Sequence, residues 1–289
     1  MQLGPSELIL NADHSIYHLN LLPEDIAPTI ITVGDPDRVG EVSKYFDSIN
    51  VKKGKREFLT HTGQLRGEKI TVISTGIGTD NVDIVLNELD ALVNIDFKTR
   101  KVKKNRIRFK IIRIGTSGAL QPEIPLDSFL LSEYAIGFDG LLHFYQSDQI
   151  QELAISDALM NHLGPAVAKV VPYVVKCDGE LALKMRSNRI RTGLTATNPG
   201  FYGPQGRKLR LGPRADDHIS KMADFTFAGM KLTNMEMETS GIYGLSKLLG
   251  HQAVSLNCIL ANRVTGEFSK NPQKAVDRLI QYALEKLTT

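Results

Sequence analysis

The chain offers little thiol chemistry: among its 289 residues only Cys177 and Cys258 are cysteines, far apart and in apolar surroundings. Two thiols cannot build a disulfide framework, and their spacing fits no metal-ligand pattern, so a reducing cytoplasm is the expected setting. No stretch approaches the ~20 apolar residues that crossing a bilayer requires, and the opening MQLGPSELILNADH has no basic segment leading into an apolar one. Neither a membrane span nor a signal peptide is expected. Several catalytic signatures are also missing. The seven histidines form no HExxH pair, which removes the main support for a catalytic metal, and no GxSxG elbow offers a serine nucleophile. Thr75-Gly-Ile-Gly78 does not complete GxGxxG and no loop completes a Walker A motif, so dinucleotide and nucleoside triphosphate readings lose their basis.

What is present is an ordinary globular composition, 42% hydrophobic and 23% charged, with no repeat, low-complexity stretch or linker to divide it. A single domain over residues 1–289 is expected. The charge is unevenly placed. Residues 98–110, KTRKVKKNRIRFK, hold eight Lys or Arg and no acid; they supply +8 of a +3 total and leave the remainder at −5. Lying as one block between two periodic elements rather than spread over a face, this segment reads as a solvated hairpin or loop inserted at the surface, and no nucleic-acid partner is expected.

Apolar strand, Gly-rich turn and amphipathic helix recur along the chain. Thr29–Val33 leads through Gly34-Asp-Pro-Asp-Arg38 into a helix carrying Val39, Val42 and Phe46, with Pro36 suited to its first turn. Lys69–Ser74 leads through Thr75-Gly-Ile-Gly78 into a helix whose Val82, Val85, Leu86, Leu89, Leu92 and Val93 form one stripe, with Asp80 and Asp83 as its expected cap. A third strand, Arg108–Ile114, is expected to end in a turn at Gly115-Thr-Ser-Gly118. Further strands are expected near 127–134, 169–176, 191–197, 231–236 and 252–260, and helices over 149–163, 237–249 and 272–287. The alternation predicts an α/β fold with a central, twisted, mainly parallel or mixed sheet and helices on both faces.

In such folds ligands gather at the carboxyl ends of strands, where the Gly-rich loops lie. Gly34 and Arg38 put a permissive backbone and a guanidinium at a helix start, suited to an anion, although Asp35 and Pro36 could equally be there to cap the helix. Arg113 sits in a strand otherwise built for burial and needs a partner; a phosphate is the expected one, with Thr116 and Ser117 beside it and a structural carboxylate as the alternative. The loop Thr197–Arg207 gathers Phe201, Tyr202, Gln205 and Arg207, equipment for stacking on and edge-reading a flat heterocycle. Glu236 and Glu238 stand where a strand passes into a helix: Glu236 is equally a helix cap, whereas Glu238 is placed to accept two sugar hydroxyls. Asn262-Arg263 ends the last apolar strand at the same edge.

The ordered set Gly34-Asp-Pro-Asp-Arg38, Arg56-Glu-Phe58, Ser74-Thr-Gly-Ile-Gly78, Arg113-Ile-Gly-Thr-Ser-Gly-Ala119, Phe201-Tyr-Gly-Pro-Gln-Gly-Arg207, Asn234-Met-Glu-Met-Glu238 and Asn262-Arg263 resembles the nucleoside phosphorylase family, and within it the members that act on uridine. The likeness runs from about residue 14 to the C-terminus. It implies phosphorolysis of uridine, with deoxyuridine a further substrate, to uracil and ribose 1-phosphate; inorganic phosphate is the co-substrate and neither cofactor nor metal is implied. By resemblance Gly34, Arg38, Arg113 and Thr116 bind phosphate, with Arg56 from a neighbouring subunit. Glu236, Met237 and Glu238 serve the nucleoside, with His18 reaching it from the neighbour. Thr116, Ser117, Gly118, Phe201, Gln205 and Arg207 complete the nucleoside set, and Arg263 lies near the far edge of the base; Glu238, Arg113 and Arg263 are the implied catalytic residues. A homodimer or a hexamer of dimers with shared sites is implied. Two features depart from the family pattern: the basic stretch 98–110 is long, and Gly203-Pro204 is reversed in order. Purine nucleoside phosphorolysis, a hydrolytic nucleosidase of the same fold and a non-catalytic nucleoside-binding protein are the competing readings.

Overall fold

The computed structural model describes residues 2–164 and 170–289. In chain order the elements are β1 (Thr29–Val33), α1 (Asp37–Ser43), β2 (Ser48–Lys55), β3 (Phe58–Leu65), β4 (Glu68–Ser74), α2 (Thr79–Asn94), β5 (Ile95–Asp96), β6 (Lys101–Val102), β7 (Lys110–Ala119) and β8 (Phe129–Gly137). There follow α3 (Leu153–Leu163), β9 (Tyr173–Lys176), α4 (Gly179–Met185), β10 (Ile190–Thr197), α5 (His218–Asp224), β11 (Thr226–Phe227), β12 (Met230–Glu236), α6 (Thr239–Leu249), β13 (Gln252–Asn262) and α7 (Pro272–Leu287).

One large mixed sheet runs β11-β12-β10-β8-β13-β7-β1-β4-β3-β2, with β9 on β8. Parallel pairings of β1 with β4 and β7, and of β13 with β7, form its middle, where both faces are covered and the strands read as near-continuous apolar runs. At one end β2 and β3 form an antiparallel hairpin on β4. This hairpin was not expected from sequence, because Lys52, Lys53 and Lys55 make β2 look like a polar loop. The alternation of exposed and half-buried positions along β2 is that of an edge strand, where lysines blunt further pairing.

Beyond β7 the sheet closes on itself. Strand β12 is hydrogen-bonded to β10 and also, antiparallel, to β7 through Asn234↔Ala119 and Met235↔Gly118, so β7, β13, β8, β10 and β12 form a circuit. The expected turn at Gly115–Gly118 is therefore corrected: these residues are part of strand β7, which runs on to Ala119. Their small size serves close approach across the strand rather than a reversal of direction.

The helices pack as their stripes require: α6 and α7 both lie against β13, α2 against α6, and α1 against β3 and β4. The strand expected near 169–176 is Tyr173–Lys176, residue 169 lying outside the described residues. The helix expected from 149 begins at Leu153, after a short 3-10 turn at Asp148–Ile150. Asp80 and Asp83 do not cap α2. Gly78 holds the cap position, and Asp83 instead accepts from the Tyr145 hydroxyl at 2.5 Å and from Asn87.

The basic block is a hairpin, β5–β6, followed by an extended stretch, and it is less purely a solvated excursion than expected. Arg100, at the hairpin turn, donates to the carbonyls of Leu3 (2.9 Å), Gly4 (2.7 Å) and Leu8, while Lys103 donates to Val93 O at 2.9 Å. One guanidinium thus satisfies three N-terminal carbonyls. Arg100→Ala is expected to raise amide exchange and proteolytic cutting across residues 3–10 while global stability falls by no more than about 1–2 kcal/mol, since the core is untouched. Hydrogen exchange together with urea unfolding reads both quantities.

Candidate active site

The carboxyl ends of β1, β4 and β12 and the distal half of β7 surround a cavity of about 570 Å³. Its wall includes Gly34, Arg38, Arg113, Thr116, Ser117, Gly118, Phe201, Gln205, Arg207, Glu236, Met237 and Glu238, so most of the residues singled out in the sequence meet in one place. Asp35, Glu57, Ile77, Leu260 and Phe268 also line it, and sequence reasoning gave them no role there. For Phe268 a signal existed: Asn262 accepts from the amides of Val264 and Thr265, a turn that returns Phe268 to pair with Ala261.

Arg113 lies at the centre. Its Nη2 is 2.5 Å from Glu238 Oε2 and 3.0 Å from Glu236 Oε2, and its Nη1 donates to Asn257 Oδ1 at 2.9 Å and to Ser255 Oγ at 3.4 Å. The partners of this buried arginine within the chain are therefore carboxylates, the alternative that stood beside phosphate in the sequence. Burial alone would lower the arginine's pKa, but Glu236 and Glu238 outweigh it and hold the proton more firmly than usual. Glu236 is pushed up by burial, which Arg113 only partly offsets.

Both carboxylates also serve helix starts. Glu236 accepts from the amides of Glu238 (2.9 Å) and Thr239 (3.0 Å) at the head of α6 and from the Thr197 hydroxyl at 2.6 Å. The helix-cap reading of Glu236 thus holds, alongside its place in the cavity wall. Glu238 Oε1 accepts from the Gly78 amide at 2.8 Å, at the head of α2. Arg38 stands near this cluster, its pKa lowered by burial against the favourable charge of Asp35.

The other end of the cavity is built from donors. Gln205 is 2% exposed, and Arg207 donates to its Oε1 and to Phe201 O, both at 2.7 Å, with the guanidinium 3.7 Å above the Phe201 ring. Because a guanidinium can only donate, this contact turns Gln205 Oε1 toward Arg207 and leaves Nε2 for a ligand. Arg263 reaches the Gln205 carbonyl at 3.5 Å, and its buried Nε has no partner among the described residues. Burial, and then the charge of Arg263, push Arg207 down to about 10.

Three implied residues lie outside this chain's own cavity wall: Arg263, which reaches the Gln205 carbonyl from beyond it, and Arg56 and His18. Arg56 sits exposed at the β2–β3 turn with φ +57°, and His18 is held through Nδ1 to Glu88 Oε1 at 2.6 Å. Lys55 links their neighbourhoods by donating to Tyr17 O at 2.5 Å and to Asn11 Oδ1 at 3.0 Å, so both belong to one surface region.

Gly115 makes the arginine's position possible. A Cβ there would stand 1.9 Å from Arg113 Nη1, whereas a Cβ on Gly118 would meet Arg263 Cγ at 3.3 Å. Gly115→Ala is expected to expel the guanidinium and break the buried ion pairs at a cost of about 3–5 kcal/mol, against about 1 kcal/mol for Gly118→Ala. Urea unfolding of the two variants checks the order.

The sequence profile of the Phosphorylase superfamily matches residues 28–288. Uridine phosphorylase of Thermococcus kodakarensis is 30% identical over 258 residues, 89% of this chain and 81% of that protein. Purine nucleoside phosphorylase DeoD-type of Myxococcus xanthus is 25% identical over 272 residues, 93% and 95% of the two chains. The crystal structure of a Trypanosoma brucei nucleoside phosphorylase showing uridine phosphorylase activity superposes with a TM-score of 0.87 at 29% identity, over 97% of this chain and 99% of that one. With matched sequence, shared fold and a cavity at the expected strand ends, the chain belongs to the phosphorylase superfamily and is a pentosyltransferase of the nucleoside phosphorylase type.

Proposed function

We propose that this enzyme cleaves uridine with inorganic phosphate, giving uracil and ribose 1-phosphate, without a further cofactor. The observation that carries the choice of base is the cluster Gln205, Arg207 and Arg263: two guanidiniums near one another and a buried amide, all offering donors. Such a group is electrostatically unsatisfied until negative charge arrives. Uracil presents two carbonyl oxygens and gains negative charge as its glycosidic bond breaks, so preorganised donors lower the barrier more than they favour the ground state.

In the proposed reaction an unprotonated oxygen of the hydrogen phosphate dianion forms the bond to C1′ as the C1′–N1 bond breaks, the bonding pair leaves with uracil, and the P–OH proton ends on the base. Glu238 accepts the ribose hydroxyls and stabilises the positive charge that grows on the sugar. Arg38 donates to phosphate directly. Arg113, whose Nη groups already face Glu236, Glu238, Asn257 and Ser255, acts on it chiefly through its charge.

Charge balance supports a shared site. The cavity wall carries Arg38, Arg113 and Arg207 against Asp35, Glu57, Glu236 and Glu238, so one chain alone presents no excess positive charge to a dianion. Arg56, exposed on its turn beside the His18 segment, is the cation a symmetric partner would add, making a dimer with two mutually completed sites.

Two measurements test this reading. Uridine with phosphate is expected to yield ribose 1-phosphate, with inosine and adenosine turned over at least ~100-fold less efficiently because a purine leaves the Gln205 and Arg207 donors mismatched. Arg38→Ala should raise the phosphate KM by about 10- to 100-fold, more than the nucleoside KM, as the loss of a charge-assisted contact does. Free ribose formed without phosphate would instead identify a hydrolase. In the second measurement, inactive Arg56→Ala and Glu238→Gln subunits are mixed under exchange conditions. A shared site predicts recovered activity, because half the sites of a mixed dimer contain neither lesion; no recovery despite proven exchange rejects the sharing.

A further inference from the structure

The space enclosed by β7, β13, β8, β10 and β12 is polar, and its polar groups are connected. Arg113 of β7 donates to Asn257 Oδ1 of β13 at 2.9 Å, and Asn257 Nδ2 donates to Ser132 Oγ of β8 at 3.2 Å. Thr195 of β10 shares its hydroxyl proton between Ser132 Oγ at 2.6 Å and Asn234 Oδ1 of β12 at 2.8 Å. Asn234 Nδ2 then donates to Ser117 Oγ at 2.9 Å, back on β7 and four residues from the start. Every strand of the closed circuit contributes. Asn257, Ser132, Thr195 and Asn234 are 0% exposed, Arg113 4% and Ser117 8%.

An apolar filling would be the cheaper interior, since each buried hydroxyl or amide loses water and regains only what its partner returns. A fully connected network has a different merit: it holds its members in one geometry. Here the ends of the chain of bonds both face the cavity. Arg113 holds Glu238 at one end, and Ser117 lines the nucleoside side at the other. Because Arg113 can only donate, it orients the Asn257 amide, whose Nδ2 is thereby turned to Ser132. Gly115, lying between Arg113 and Ser117 on the same face of β7, leaves the guanidinium room to lie along the strand.

Strands β8 and β10 contribute no residue to the cavity wall. We propose that the buried ring Arg113–Asn257–Ser132–Thr195–Asn234–Ser117 positions the phosphate and nucleoside sides of the site relative to each other, with Ser132 and Thr195 as positioning residues that set turnover without touching substrate. The role assigned to turnover rests on the phosphorolysis reading above; the locking of Arg113 does not.

Two variants at Thr195 separate positioning from packing. Thr195→Val keeps the shape and removes the hydroxyl, whereas Thr195→Ser keeps the hydroxyl and removes a methyl. Thr195→Val is expected to lower kcat at least ~10-fold and to weaken inorganic phosphate, measured by calorimetry, about 3-fold, while the nucleoside KM changes less than ~2-fold, the pattern of lost transition-state geometry. Thr195→Ser should retain turnover and phosphate affinity within ~2-fold of wild type, since the ring survives. A folded Thr195→Val enzyme with wild-type turnover and phosphate affinity overturns the proposal, as does a Thr195→Ser enzyme impaired to the same degree. Should Thr195→Val not fold, Ser132→Ala breaks the same ring on β8 and is read by the same two measurements. A wild-type protein that binds phosphate yet is inert on uridine refutes the substrate reading, and the phosphate affinities of the variants still decide the ring. If wild type binds no phosphate, both fall.

Discussion

The fold around the site depends on one buried cation. Arg113 lies between Glu236 and Glu238, and each of those carboxylates also receives the first amides of a helix, α6 for Glu236 and α2 for Glu238. The guanidinium therefore ties strand β7 to two helix starts and to the end of β12. Removing it would leave two carboxylates buried without their counter-charge, a situation that costs about 3–5 kcal/mol in comparable pairs. A phosphate-binding assay on an Arg113 variant would mix lost structure with lost contact, whereas Arg38 has no such ion pair among the described residues, so its variants test the proposed anion contact without that confusion.

The cavity is divided electrically. At one end Arg38 and Arg113 stand against Asp35, Glu57, Glu236 and Glu238, two cations against four carboxylates, an environment that favours growing positive charge. At the other, Arg207 and Arg263 both reach Gln205, and the charge of Arg263 adds to burial in lowering Arg207 to about 10. Opposite charges develop on sugar and base during glycosidic cleavage. A site already polarised in that direction needs little reorganisation when the bond breaks.

Much of this was legible in the sequence because the chemistry recurs at strand ends. Gly34, Thr116 and Glu238 are polar or permissive residues that directly follow, or end, apolar runs, Arg38 and Gln205 lie a few residues beyond such ends, and the alternation of strand and helix places these positions at one edge. Less legible were features that depend on distant partners. Arg113 reads first as an anion ligand, with half of an ion pair as the alternative, until Glu236 and Glu238 are brought to it from more than a hundred residues away. Lys52, Lys53 and Lys55 conceal an edge strand, because edge protection and loop solvation use the same residue. Asp80 sits where a cap belongs, yet the start of α2 is served by Glu238, and local pattern carries no trace of a donor's remote acceptor.

Gly115-Thr-Ser-Gly118 shows the same limit from the other side. Four small residues after an apolar run mark a turn in most contexts. Here they remain in strand β7 because β13 pairs with all four, and β12 adds a second partner at Gly118 that closes the circuit. Closure then changes what small size is for. Gly115 admits the Arg113 guanidinium, Gly118 lies under the Arg263 side chain, and Thr116 and Ser117 stand between them at the cavity wall. A turn would have separated these groups along a mobile loop. A paired strand holds Arg113 and two hydroxyls at the residue spacing of the sheet, with Arg263 packed over Gly118, which gives the arginine that organises the fold and the groups that line the cavity a common rigid support.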